Sequence, residues 1–138
     1  MVSYGIHIAC SRELVRPAGY PIRTFTWTEA IAHLDDFRGT TFRPMRDFVA
    51  AIAASAYSRF LFPGSSMDAV LISRLPDFNS YEPHLRIQYN PRTRQITFTY
   101  FTDPYSNQWW TTNTPINRAF AHFEHLMLRR LRWCRKVS

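Results

Sequence analysis

The segment LRIQYNPRTRQITFTYF, residues 85–101, constrains the fold more than any other part of the chain. Apolar Leu85, Ile87 and Tyr89 alternate with Arg86 and Gln88; after the turn NPRTR, Ile96, Phe98 and Tyr100 alternate with Thr97, Thr99 and Phe101. A period of two is the spacing of a strand that buries one face, because successive side chains point to opposite sides of a sheet. Asn and Pro between the two runs supply turn chemistry. The segment is therefore expected to be an antiparallel hairpin, and a lone hairpin is marginal in water unless further strands or helices cover its apolar face.

The rest of the chain offers that cover. DPYSN makes a second turn and Gln108 to Thr112 a third strand, giving a meander. Near the N-terminus Tyr4, Ile6 and Ile8 alternate within Ser3 to Ala9, which predicts another strand, and Arg12 to Arg23 carries Pro17, Gly19 and Pro21 and reads as a loop. Thr26 with Glu29 forms the T-x-x-E pattern of a capping box, and Trp27, Ile31, Leu34 and Phe37 follow at helical spacing until Gly39. A second helix is signalled by Pro44 in its first turn, by the stripe Met45, Phe48, Val49, Ile52, Ala56 and Phe60, and by Pro63-Gly64 as its stop. Asp68 to Leu75 suits either helix or strand, and a third helix capped by Ser66 is the expectation taken. Thr114 is expected to cap a last helix that begins at Pro115 and buries Ile116, Ala119, Phe120, Phe123, Met127 and Leu131. These elements predict an α+β fold in one two-layer domain over residues 1–138. Its antiparallel sheet would join the C-terminal meander to the N-terminal strand, with helices on one face.

With 138 residues, 46% of them hydrophobic, the chain is long and apolar enough to bury one core. MVSYGIHIAC has no basic leader before an apolar run, so no secretory signal is expected and the protein is read as cytoplasmic. The apolar region from Phe48 to Phe62 is broken by Ser55, Ser58 and Arg59 and falls short of the roughly 20 residues that cross a bilayer. No membrane segment is expected. Cys10 and Cys134 have no metal-binding spacing and are expected to be reduced, buried thiols.

Net charge is +7, and its distribution is uneven. No acid follows Glu124, while Arg129, Arg130, Arg132, Arg135 and Lys136 add five positive charges. At helical spacing Arg118, His122, His125, Arg129, Arg132 and Lys136 would stack along one face, a basic ridge roughly 27 Å long at 1.5 Å per residue. Such a ridge suits an acidic protein partner or a phosphate backbone; a solvated helix face with cations near its C-terminus is the plainer alternative. His122 and His125 could share a metal, but no third ligand is evident, and no cofactor or metal is expected. Trp109 and Trp110, adjacent on the third strand, cannot both face the same way. One would join the core; the other would either lie in a groove under the loop or, with Tyr105 and Phe101, form an aromatic patch of the kind that anchors protein partners.

Catalytic patterns are sparse. Gly64-Ser65-Ser66 is not a nucleophile elbow, and four glycines allow no phosphate-binding loop. One enzymatic reading stays open: His84, Arg86, Arg94, Thr97 and Thr99 on or beside the hairpin are residue types that a small ribonuclease could project from a sheet.

In its start SYGIHI, its TWTEA helix opening, the hairpin LRIQYNPRTRQITFTYF and an aromatic-rich segment before a final amphipathic helix, the chain resembles the small immunity proteins encoded beside bacterial polymorphic toxins, including those of contact-dependent growth inhibition. The resemblance implies a cytoplasmic α+β domain without catalytic activity that binds one toxin, often over its active site. The family shares no functional motif, so it assigns no residue by position. Many such proteins are acidic and this chain is basic, so its toxin is expected to present an acidic contact surface. The reading taken is a non-enzymatic binding module whose contacts are Tyr105, Trp109, Trp110, Arg118, His122, His125, Arg129, Arg132 and Lys136. A nucleic-acid-binding protein stands second and a small ribonuclease third.

Overall fold

The structure is a computed structural model, and it describes residues 21–36, 39–66, 68–79, 82–101 and 109–136. The expected strand at Ser3 to Ala9, Cys10, Phe37, Tyr105 and the DPYSN turn lie outside the described residues.

In chain order the elements are β1 (Pro21–Ile22), α1 (Trp27–Asp36), α2 (Arg43–Ala54), β2 (Phe62–Ser66), β3 (Ala69–Ser73), β4 (Phe78–Asn79), β5 (His84–Asn90), β6 (Gln95–Phe101), β7 (Trp109–Pro115) and α3 (Ala119–His125). Five strands form one antiparallel sheet in the order β2-β3-β5-β6-β7, and β1 pairs with β4 in a separate two-stranded ribbon. The fold is α+β, as the sequence predicts.

The hairpin forms as its alternation requires. Leu85 pairs with Tyr100, Ile87 with Phe98 and Tyr89 with Ile96, so the apolar positions share one face. At the turn the Asn90 side-chain oxygen accepts from the backbone of Arg92 and Thr93, and Arg94 closes it with a positive φ of 56°. The inner face packs against Leu34 of α1, Met45, Phe48, Val49 and Ile52 of α2 and Phe123 of α3, all buried. Phe48 meets both Phe98 and Phe123 edge to face, with ring centres 6.1 and 6.3 Å apart. Such pairs add about 0.5–1.5 kcal/mol each beyond the area they bury.

The capping box at α1 is present: the Thr26 hydroxyl accepts from the Glu29 backbone at 3.1 Å, and the Glu29 carboxylate accepts from the Thr26 backbone at 2.9 Å. These bonds hold the exposed Glu29 carboxyl below its ordinary pKa. Trp27 donates its indole N–H to the carbonyls of Ser58 and Leu61, tying α1 to the segment after α2.

Three expectations are corrected. Asp68 to Leu75 is not helical: Ala69–Ser73 is a strand between β2 and β5, buried along its whole length. Both its faces are covered, and a strand buried on both sides loses the alternation that would distinguish it from a helix. Pro63-Gly64 does not stop α2, which ends at Ala54, but lies inside β2. Gly64 is needed there because the chain at 22–24 crosses it: an added Cβ would stand 3.1 Å from Ile22 Cγ2 and 3.3 Å from the Arg23 carbonyl oxygen. Thr114 does not cap a helix. Strand β7 runs through Pro115, a short 3-10 turn follows, and α3 begins at Ala119.

Candidate functional site

The sheet has two unlike faces. Its inner face carries the helices; on its outer face Leu71 packs with Ile22 and Phe78 of the β1–β4 ribbon. Register places Arg86, Thr99 and Thr111 in one cross-strand row of the outer face, and Gln88, Thr97 and Asn113 in the next.

The basic C-terminal region is built differently from a long ridge. Helix α3 ends at His125, and residues Leu126–Arg130 form a π-helical turn in which the Leu131 N–H bonds the Leu126 carbonyl at 2.7 Å. Arg132 adopts a left-handed φ of 56°, and the chain then folds back so that Trp133 and Cys134 are buried. The even spacing from Arg118 to Lys136 therefore ends before Arg132, and no continuous 27 Å face exists. The physical reason is the anchor: seating Trp133 against Tyr100, ring centres 6.0 Å apart, bends the backbone out of the helix.

His122 is also corrected as a surface residue. Half-buried, it stacks on Phe98 at 5.4 Å, lies 3.5 Å from the Thr112 hydroxyl, and has its pKa lowered by burial first and then by His125 and Arg130. Arg118, His125, Arg129, Arg132 and Lys136 are exposed. The last acid, Glu124, accepts a 3.0 Å hydrogen bond from the Tyr57 hydroxyl, which occupies it away from the terminal cations.

Of the two adjacent tryptophans, Trp110 is half-buried on the inner face, paired with Tyr100 across the strands and 5.5 Å from its ring. The backbone of Trp109 pairs with Phe101, and its side chain lies outside the described residues. Arg130, a residue the ridge pattern omits, lays its guanidinium 3.9 Å from the centre of the Trp110 ring. Arg130 is the last residue of the π-helical turn. Trp110 is therefore covered by a cation instead of being a bare aromatic anchor, and the aromatic and basic features meet in one surface.

A groove of about 610 Å³ opens beside the start of α3, with Arg43, Asp47 and Arg94 among its polar lining and Phe48, Ile116 and Phe120 among its apolar lining. Among the described residues there is no group of three or more His, Cys, Asp or Glu side chains placed to hold a metal. No helix among them is long and apolar enough to cross a membrane. Cys134 is a buried, unbridged thiol whose pKa is pushed up to about 11 by burial.

The hairpin residues with nuclease-like chemistry are partly gathered. His84, Arg86, Thr97 and Thr99 share the outer face, while Arg94 sits apart in the turn. His84 is buried between Phe78 and Phe101, with Nδ1 2.8 Å from the Glu82 carbonyl; burial lowers its pKa and keeps it neutral.

Comparison with protein families, with curated proteins and with solved structures gave no match. What the fold defines is a class of architecture, an α+β domain with a five-stranded antiparallel sheet helix-covered on one side.

Proposed function

We propose that the protein is a non-enzymatic protein-binding module, and that its partner is a toxin which it neutralises in the cytoplasm as an immunity protein. The observation that carries this reading is the terminal surface in which Arg129, Arg130, Arg132, Arg135 and Lys136 are all exposed and Arg130 covers Trp110. Five cations with no acid among them raise a local positive potential that favours an acidic partner and speeds encounter. The half-buried indole beneath Arg130 offers the amphipathic centre around which binding energy concentrates, since Trp and Arg dominate hot spots. The short helix α3 and the buried Trp133 hold this surface in place, so little ordering entropy opposes docking.

The test is co-purification with the toxin fragment encoded by a neighbouring gene. A stable complex is expected, and Arg129→Glu with Arg130→Glu should weaken it roughly 100-fold, on the scale of 2–5 kcal/mol for charges at a desolvated contact. Absence of any complex refutes the reading. So does tight binding of generic RNA or DNA that falls steeply with salt, which is the signature of phosphate-backbone contact.

A further inference from the structure

The outer sheet face holds a buried donor, Arg86 Nε, that the described residues leave without an acceptor. Arg86 lies on β5, the middle strand, between Leu71 of β3 and Thr99 of β6. Its side chain is half-buried, and its Nε is shut off from solvent without a hydrogen-bond partner. Among the described residues no ion pair includes Arg86. A guanidinium cannot escape this cost by losing its proton. A buried N–H left without an acceptor costs its full desolvation penalty and calls for a partner.

The surroundings specify what kind. In the Arg86 row the hydroxyls of Thr99 and Thr111 lie 3.2 Å apart, and in the next row Thr97 donates to Asn113 at 2.8 Å beside Gln88. These groups are neutral donors and acceptors. Asp68 lines a separate cleft with Gln88 and Thr97 and makes no ion pair with Arg86. A planar carboxylate would occupy the guanidinium fork and leave the threonine hydroxyls unused. A tetrahedral oxyanion has further oxygens to accept from them.

We infer that Arg86 anchors an anion site on the outer face of the sheet, with the Thr99–Thr111 hydroxyl pair supplying a neutral donor, and that its ligand is a phosphate group, free or as a small phosphate monoester. The site lies on the face opposite Trp110 and does not depend on the terminal cationic surface.

The experiment is titration of the full chain with inorganic phosphate at constant ionic strength, read by amide chemical shifts and calorimetry, with acetate as control. Saturable phosphate binding is expected, with acetate much weaker. Arg86→Met should weaken it at least about tenfold, as expected for a lost charged hydrogen bond. In phosphate-free buffer that variant should unfold at the same temperature as the parent or higher, because a buried, unpartnered N–H has gone. Thr111→Val should weaken binding severalfold and lower the unfolding temperature slightly, because the buried Thr99 hydroxyl loses its partner, whereas Thr111→Ser, which keeps the hydroxyl, should leave both close to the parent. Phosphate that binds no better than acetate overturns the inference, as does unchanged phosphate affinity in both Arg86→Met and Thr111→Val. Adenosine monophosphate distinguishes the source: tighter binding than phosphate assigns a monoester, equal binding the free ion, and both support the site.

Discussion

Trp133 anchors the segment after α3 from outside the helices and strands. It is 2% exposed, packs on Tyr100 and carries the Arg74 guanidinium 5.1 Å from its ring centre. Trp133→Ala should therefore cost about 3–5 kcal/mol in urea denaturation, the range for truncating a buried aromatic. It should also loosen the cations that flank it. The two half-buried or buried histidines set a pH dependence whose sign is fixed. His84 and His122 both titrate below 6.5 when folded, chiefly because burial disfavours their charged forms. Above 6.5 the rings are neutral folded and unfolded, and contribute no slope. As pH falls below 6.5 the unfolded rings take up protons first, so the unfolded state binds more protons and stability drops. The drop continues until the folded rings protonate as well. Thermal unfolding between pH 7.5 and 5 should show this fall, and His122→Gln should flatten it; a slope untouched by that variant would remove His122 as a source.

At the scale of elements, the end of α3 is where backbone and charge separate. Arg132 sits at φ 56°, a left-handed conformation that costs a non-glycine residue about 1–2 kcal/mol. Arg132→Gly should stabilise the chain by up to about 1 kcal/mol in chemical denaturation, because glycine reaches that conformation without strain. The same change removes one cation from the proposed partner surface, so stability should rise while affinity for the proposed toxin partner falls. The hairpin and the α1 cap were readable from sequence because each rests on local chemistry: alternation with a turn at Asn90, and a reciprocal Thr26–Glu29 pair. The first stretch of the second helix was readable for the same reason, Pro44 leading a stripe from Met45 to Ile52. What sequence could not show depended on contacts distant in the chain. Ala69–Ser73 became a strand because neighbours cover both its faces, and Gly64 was placed by the crossing of residues 22–24. The basic ridge failed for a related reason: regular spacing assumed a straight helix, and the buried Trp133 bends the chain before Arg132. Trp133 itself lay in plain view inside the basic run, and a large apolar residue among cations was the available sign of an anchor.

Across the whole molecule, the sheet separates the two positively charged places for which different partners are proposed. Trp110 and Arg130 stand with α3 on the inner side, whereas Arg86 stands in the threonine row on the outer side. Charges on opposite sides of a packed sheet interact weakly at physiological salt, where the screening length is about 8 Å. Sites without shared partners add within roughly 0.3–0.5 kcal/mol. Arg130→Glu should therefore change phosphate affinity less than about twofold, and Arg86→Met should leave toxin affinity equally unaffected. The double variant should lose both affinities by the sum of the single effects. A coupling larger than that, measured by calorimetry on all four proteins of the cycle, would mean that the terminal surface and the outer face are parts of one site. The toxin would then have to reach around the β7 edge to contact both.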